Sequence, residues 1–251
     1  MDKADMKLIC DLVKGDSSCA RPEKMFLFDI VSNKQNSFDL DKLDYLNRDT
    51  KHTNINDSFI NYKRIIKNAM IIDNRIAYNK KIYNDINMVY QRRYELFKQV
   101  YLHKTCQAID FMVTDALIAA NNKFKFEEVI FDPERYLTLI QDDLLRIIRK
   151  SRDPELQESA ELLKRIERRD LYKSAGETLI IKDWVKRIKK EDIASCQPSA
   201  PVSQQLRPDD LIVHVYSLDW GNGDNYPLDN MSFYESHSTE IISRLPRHET
   251  S

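Results

Sequence analysis

The feature that most constrains the fold is a long helical pattern between about residues 85 and 121. Apolar side chains recur there at steps of three and four residues, which is the period of an α-helix rather than that of a strand. The pattern consists of Ile86, Val89, Leu96, Val100, Ile109, Met112, Ala116 and Leu117. The sequence therefore predicts long amphipathic helices as the main building elements.

Other helices are predicted from their start signals. Ser37 or Asp39 offers an N-cap for a helix that begins at about Leu40, and a further helix is expected over 62–69. Two Asp-Pro pairs, at 132–133 and 153–154, each predict a helix start, because proline is tolerated in the first helical turn.

Short apolar runs predict a small amount of β-structure. Segments 70–72 and 75–78 read as a hairpin that turns at residues 73–74. After about Ser174, segments 178–181, 211–216 and 231–235 read as strands, with a Pro/Ser/Gln linker between the first two. The predicted fold class is mainly α, α+β overall, with a helical body over 1–172 and an α+β lobe over 173–251.

Composition narrows the function classes. The 39 basic and 40 acidic residues give a net charge of -1, so there is no global attraction to nucleic acid or to an anionic membrane. An anion site would have to come from local clustering. No apolar run approaches the ~20 residues that cross a bilayer, and the four cysteines form no C-x-x-C pair. We expect an intracellular protein with reduced thiols and no membrane segment.

Four polar residues share one side of the helix that begins near Leu40. Asp41, Lys42, Tyr45 and Asp49 lie at spacings close to i, i+4 and i+8. On spacing alone, they are most simply the solvent-facing side of an amphipathic helix.

Several motifs occur in an order that resembles a known enzyme family. They are FDLDKLDYLNRD at 38–49, YKR at 62–64, YLHK at 101–104, IDFMVTDA at 109–116, AGET at 175–178, DWG at 219–221 and SFY at 232–234. Together they resemble the C-terminal half of the SAM- and HD-domain-containing deoxynucleoside triphosphate triphosphohydrolases, in their metazoan form.

The resemblance implies a fold, a reaction and a cofactor. Residues 1–172 would be the C-terminal part of a helical HD domain, and 173–251 an incomplete C-terminal lobe. The family's reaction releases triphosphate from a deoxynucleoside triphosphate (dNTP). A divalent metal, such as manganese, magnesium, zinc or iron, would take Asp41 as one ligand. A nuclear location is also implied, with a cytoplasmic one as the alternative.

The resemblance further implies two sets of nucleotide-binding residues. Lys42 would face the substrate phosphates, and the sugar and remaining contacts would involve Tyr45, Asp49, Arg93 and Tyr101. GTP or a dNTP would bind as an allosteric ligand between subunits at Arg64, Lys81 and Lys104. The implied partners are dNTPs, GTP and further subunits in a homo- or hetero-oligomer.

The metal ligands of the family are incomplete in this sequence. None of the five histidines is followed by aspartate, so the His-Asp doublet of the HD half is absent. One carboxylate cannot hold a catalytic metal that needs at least three protein ligands. The sequence therefore predicts a chain that is inactive or impaired by itself.

Three functional alternatives follow. The chain could need the HD half from another chain or from a longer product of the same locus. It could be a non-catalytic nucleotide-binding or subunit-assembly module that regulates a full-length relative. It could also be an incomplete gene product without an independent function.

A basic run marks the start of the predicted lobe. It comprises Lys182, Lys186, Arg187, Lys189 and Lys190, and the only aromatic residue within it is Trp184. Such a run is usually a solvated face, and single-stranded nucleic acid is the alternative ligand.

Overall fold

The chain forms two compact units. The computed structural model describes residues 3–18, 20–55, 60–139, 141–196, 206–221, 223, 225–235 and 241–243. The first unit comprises Met1–His103 with Leu218–Ser251, and the second comprises Lys104–Ser217. This division follows spatial contacts. It does not test the boundary near residue 172 that the sequence suggests, and that boundary stays a prediction.

Helices form most of the first unit. Its α-helices are α1 (Lys3–Lys14), α2 (Phe26–Val31), α3 (Leu40–Thr53), α4 (Tyr62–Lys67) and α5 (Tyr83–Leu96). A π-helical turn, Phe97–Tyr101, continues from α5. Short 3-10 helices lie at Pro22–Lys24, Lys80–Ile82 and Pro227–Asn230.

The ends of α3 follow from its sequence. The side chain of Asp39 accepts a hydrogen bond from the Lys42 backbone N–H at 3.0 Å, so Asp39 rather than Ser37 is the N-cap. The helix ends at Asn54, whose φ of 54° lies in the left-handed region that asparagine tolerates.

The first unit also contains the described sheet, whose strand order is β1-β2-β3-β4. The hairpin of β1 (Ala69–Ile72) and β2 (Arg75–Asn79) turns at Asp73 and Asn74, both with positive φ. β3 (Ser232–Tyr234) pairs parallel to β2, and β4 (Ile241–Ser243) pairs antiparallel to β3. The predicted hairpin and the strand within 231–235 are confirmed.

The second unit is also largely helical. Its α-helices are α6 (Lys104–Phe124), α7 (Phe126–Val129), α8 (Pro133–Thr138), α9 (Gln141–Lys150), α10 (Gln157–Glu167) and α11 (Lys190–Ser195). Pro154–Leu156, Lys182–Arg187 and Pro208–Asp210 are 3-10 helices. Buried Ser159 on α10 donates a hydrogen bond to the backbone oxygen of Ala116 on α6 at 2.6 Å. Both Asp-Pro pairs begin helical turns, as predicted.

The long pattern over 85–121 does not form one helix. It is divided between α5, the π-helical turn and α6, with Leu102 and His103 outside any helix. Periodicity could not reveal this interruption, because apolar spacing at three and four residues continues on both sides of it.

Two of the predicted strands are absent from the described lobe. Segments 178–181 and 211–216 have no regular secondary structure, and Leu179 is fully exposed. A strand needs a neighbour for its backbone hydrogen bonds, and β-type composition alone does not supply one. The predicted fold class, mainly α and α+β overall, is confirmed. Within the described residues, no helix is both long and apolar enough to traverse a lipid bilayer.

Burial of the apolar side of α3 organises the core of the first unit. Leu46 is 0% exposed and belongs to the same buried cluster as Ile86 and Val89 of α5. Leu43 lies in that cluster as well, whereas Leu40 on the same helix is 51% exposed. The core therefore fixes which side of α3 faces inward.

We expect Leu46→Ala to lower the free energy of unfolding by about 2–5 kcal/mol, because it leaves a cavity in this core. Leu40→Ala is the matched control and should change it by less than about 0.5 kcal/mol. Urea unfolding followed by circular dichroism measures both variants. Equal effects of the two substitutions would contradict the assigned orientation of α3.

Candidate nucleotide site

Lys42 lies inside the protein, although spacing alone placed it on a solvent-facing side. The residue is 4% exposed, and its Nζ lies 5.2 Å from the centroid of the Tyr90 ring. Within the described part of the chain, Nζ has no hydrogen-bond partner. A buried ammonium normally has partners, because its desolvation costs several kcal/mol. Lys42 is therefore a buried cation without a hydrogen-bond partner among the described residues.

The pKa of Lys42 reflects its burial and its charged neighbours. Burial, and after it the nearby Arg93 guanidinium, lower the pKa of Lys42 to about 8, against the opposing effect of Asp39 and Asp219. Two cations that lie close together in a partly dry environment disfavour each other. An anion bound between them would relieve that repulsion.

Arg93 projects from α5 toward a turn at 219–221. Its Nη1 donates a hydrogen bond to the backbone oxygen of Asp219 at 2.7 Å and lies 3.5 Å from Oδ1 of that residue. The guanidinium also lies over the Phe97 ring, with Cζ 4.3 Å from the centroid. Arg93 is thus held on two sides.

Tyr45 connects α3 to Arg93. Burial raises the pKa of the half-buried Tyr45 hydroxyl, and the hydrogen bond from Arg93 opposes that shift. The carboxylate of Asp41 also acts on this hydroxyl and raises its pKa. The side chains of Lys42, Tyr45 and Arg93 therefore converge, and their role in substrate binding stays a prediction.

Asp49 and Tyr101 form a second pair at the site. The Tyr101 hydroxyl donates a hydrogen bond to Oδ2 of Asp49, and burial together with Asp49 raises the pKa of Tyr101. Tyr101 lies at the end of the π-helical turn and contacts Phe97 edge-on, with ring centroids 4.9 Å apart. π-turns are frequent at functional sites. No pattern in the sequence predicted this turn.

Asp41 lies near the site but does not form a metal centre with other described residues. It is exposed in the first turn of α3. Within the described ranges, no group of three His, Cys, Asp or Glu side chains is placed to hold a metal ion. The residues present do not fit a metal site by themselves, so no chemical step of this chain is assigned to a metal.

The three residues of the implied allosteric site belong to different units. Arg64 of α4 is exposed and forms an ion pair with Asp85 at 3.3 Å, and Lys81 is also exposed in the first unit. Lys104 begins α6 of the second unit. Their shared role in nucleotide binding stays a prediction.

Tyr90 and the 219–221 turn were not recognised as site components from the sequence. Tyr90 lies within the core helix pattern, so its contact with Lys42 has no sequence signature. The DWG motif at 219–221 formed part of the family resemblance, but the sequence did not predict which elements this turn contacts. Gly221 has φ +97°, and a Cβ there would lie 3.0 Å from Arg93 Cδ and 3.1 Å from Lys42 Nζ.

A cleft in the second unit suits a triphosphate poorly. It encloses about 660 Å³ and is lined by Asp115, Glu158, Glu161 and Arg165, among others. Its acidic side chains outnumber the single basic one, so its charge opposes an anionic ligand. The cation-lined site of the first unit is therefore the better nucleotide candidate.

The basic run at 182–190 lies mostly in the 3-10 helix Lys182–Arg187 of the second unit. Trp184 is 57% exposed, and the guanidinium carbon of Arg187 lies 5.9 Å from its ring centroid. The interpretation as a nucleic-acid surface stays a prediction.

Comparisons with known proteins show the family of this chain. The family model described as the HD associated region matches residues 60–219. The chain is 33% identical over 255 residues to the deoxynucleoside triphosphate triphosphohydrolase SAMHD1 homolog of Dictyostelium discoideum, covering 100% of this chain and 47% of that protein. It is 35% identical over 254 residues to the Homo sapiens deoxynucleoside triphosphate triphosphohydrolase SAMHD1, covering 92% of this chain and 40% of that protein.

The match over 60–219 shows that the chain belongs to the class of proteins that contain an HD associated region. Within that class, the chain belongs to the family of deoxynucleoside triphosphate triphosphohydrolase SAMHD1 and its homologues. It spans about half the length of the curated relatives that it matches, with 47% and 40% of the two proteins covered.

Because Lys42 is buried and its ammonium has no hydrogen-bond partner among the described residues, we expect Lys42→Met to stabilise the fold at pH 7 by up to about 3 kcal/mol. The folded-state pKa lies near 8 and the unfolded value near 10.5, so the folded state binds fewer protons between these values. The penalty from Lys42 is therefore full below pH 8 and fades as pH rises toward 10.5.

The measurement is urea unfolding of both proteins from pH 7 to pH 10.5. Exposed Lys51 on the same helix provides the control, and Lys51→Met should give a difference that does not change with pH. A Lys42→Met advantage that grows with rising pH would contradict the sign of the shift.

Proposed function

We propose that this chain supplies the substrate-binding half of a dNTP triphosphohydrolase site. The observation that carries the proposal is the buried Lys42 ammonium, which has no hydrogen-bond partner among the described residues and lies beside Arg93. A triphosphate is a concentrated anion, and lysine and arginine are suitable clamps for it. The family membership supplies the class of reaction.

The roles of the other residues follow from their chemistry. Tyr45 and Tyr101 offer aromatic walls, and one packed against deoxyribose leaves little room for a 2′-hydroxyl. Asp49, which accepts a hydrogen bond from Tyr101, supports that side of the site. Asp41, exposed at the start of α3, would contribute one ligand to a divalent metal.

Hydrolysis needs more than these residues. Phosphate ester cleavage requires neutralisation of developing charge and a water in line with the leaving group. The sequence has no His-Asp doublet, so the remaining metal ligands would come from another polypeptide segment. We therefore propose that the chain by itself binds dNTPs and hydrolyses them slowly or not at all.

Calorimetric titration with dGTP and manganese tests the binding proposal. We expect Lys42→Ala to weaken dGTP binding by about 10- to 100-fold, because a charge-assisted contact to phosphate is lost. Lys51→Ala removes an exposed lysine from the same helix and should stay within about threefold of the unaltered chain.

Triphosphate release measured on the same samples tests the catalytic part. Release that Asp41→Ala abolishes would show that this chain alone completes an active site, and would contradict the proposed dependence on further ligands. Absence of dGTP binding by the unaltered chain would refute the proposal as a whole.

We also propose that Arg64, Lys81 and Lys104 contribute to a GTP- or dNTP-dependent assembly with full-length relatives. Arg64 and Lys81 are exposed cations of the first unit, and Lys104 is an exposed cation of the second. Exposed cations can engage a nucleotide phosphate at a subunit boundary without rearrangement of the core. The same resemblance suggests a nuclear location, which imaging of a fluorescent fusion would test.

Mixing the chain with a full-length relative, with and without GTP, tests this assembly. We expect mixed oligomers by mass photometry, with Lys81→Ala raising the GTP concentration needed by about tenfold. Lys67→Ala on the exposed side of α4 is the control and should leave it unchanged. Mixtures that contain only unmixed species at micromolar concentration would rule out assembly.

A further inference from the structure

A hydrogen bond to the side chain of Asp219 closes the turn at 219–221. Oδ1 of Asp219 accepts a hydrogen bond from the Gly221 N–H at 2.5 Å, two residues further along the chain. Aspartate commonly folds a turn in this way. Gly221 then has φ +97°, a conformation that residues with a Cβ rarely adopt.

The folded turn presents its backbone to the two cations. The Asp219 carbonyl oxygen receives the Arg93 Nη1 hydrogen bond at 2.7 Å. At Gly221 the backbone approaches so closely that a Cβ would lie 3.0 Å from Arg93 Nε and 3.1 Å from Lys42 Nζ. The shape of the turn thus determines where the guanidinium can lie.

Aromatic contacts hold the turn and the guanidinium from the side of α5. Trp220 stacks on Tyr94, with ring centroids 5.6 Å apart and an interplanar angle of 21°. Tyr94 is the neighbour of Arg93 in the chain, and Phe97 lies under the guanidinium. Arg93 is therefore confined between the Phe97 ring and the turn.

We propose that Asp219 is a positioning residue that fixes the Arg93 guanidinium at the nucleotide site through the turn that its side chain closes. This inference rests on the proposed function, because it assigns Arg93 to the substrate phosphates. A guanidinium that is fixed before binding loses less side-chain entropy when the phosphate arrives.

In this role the side-chain oxygen of Asp219 is needed to accept the Gly221 hydrogen bond, whereas its negative charge is not needed. Its carboxylate lies 3.5 Å from Arg93 Nη1, where it would repel an incoming phosphate. Asparagine has a side-chain oxygen that can accept the Gly221 N–H, but it carries no charge. Asp219→Asn should therefore preserve the turn and bind the triphosphate at least as tightly, whereas Asp219→Ala should open the turn.

The experiment compares the full chain with Asp219→Asn and Asp219→Ala. Calorimetry with dGTP and manganese should show about tenfold weaker binding for the alanine variant and no weakening for the asparagine variant. Nitrogen NMR of the Arg93 side chain, assigned with Arg93→Lys, supplies a reading that does not depend on ligand. Separate Nη1 and Nη2 signals should persist in the asparagine variant and merge in the alanine variant.

Gly221→Ala provides a second route to the same conclusion if Asp219→Ala does not fold. It should weaken dGTP binding by about tenfold, because the new Cβ displaces Arg93. Gly223→Ala is its matched control, since Gly223 also has positive φ, at +59°, but no atom within 4 Å of an added Cβ. It should stay within about threefold of the unaltered chain.

Two results would overturn the inference. One is equal dGTP affinity and equal Arg93 signals in the unaltered chain and Asp219→Ala. The other is an asparagine variant that binds as weakly as the alanine variant. If the unaltered chain does not bind dGTP, the proposed function fails, and the Arg93 signals alone then test the positioning role of Asp219. Signals that merge in the alanine variant support that role. Signals that stay unchanged in the alanine variant refute it.

Discussion

The packing of α3 against α5 is the constraint on which the rest of the site depends. Leu43 and Leu46 enter the same buried cluster as Ile86 and Val89, and this fixes the rotation of α3. With the helix held in that orientation, Lys42 is carried inside, while Asp41, one residue earlier, stays in solvent. The apolar core contributes stability that can tolerate a buried ammonium with no hydrogen-bond partner among the described residues, which is an unfavourable arrangement by itself.

The electrostatics of the site follow from that placement. Burial lowers the pKa of Lys42, and Arg93 adds to the effect instead of relieving it. The backbone of the 219–221 turn then accepts a hydrogen bond from Arg93 and passes close to Lys42, and Asp219 supplies partial compensation. A site that accumulates positive charge with incomplete compensation is suited to a multivalent anion.

Local signals in the sequence predicted a large part of the fold. Asp39 could be recognised as a candidate N-cap, and residues 73–74 as a hairpin turn, because each depends on the chemistry of a few adjacent residues. The segments 178–181 and 211–216 were wrongly predicted as strands, since a strand requires a partner that propensity does not provide. The π-helical turn that presents Tyr101 was missed, because its apolar spacing is that of an ordinary helix.

The sequence by itself determined the family, the helical character and the identity of most side chains at the site, since these reside in residue types and their order. Only the tertiary structure decided that Lys42 is buried rather than solvated, and that Tyr90 and the Asp219–Gly221 turn complete its surroundings. Burial depends on which side of a helix meets the core, and on segments more than a hundred residues apart in the chain. A short stretch of sequence indicates neither which side of its helix is buried nor which distant segments that side contacts.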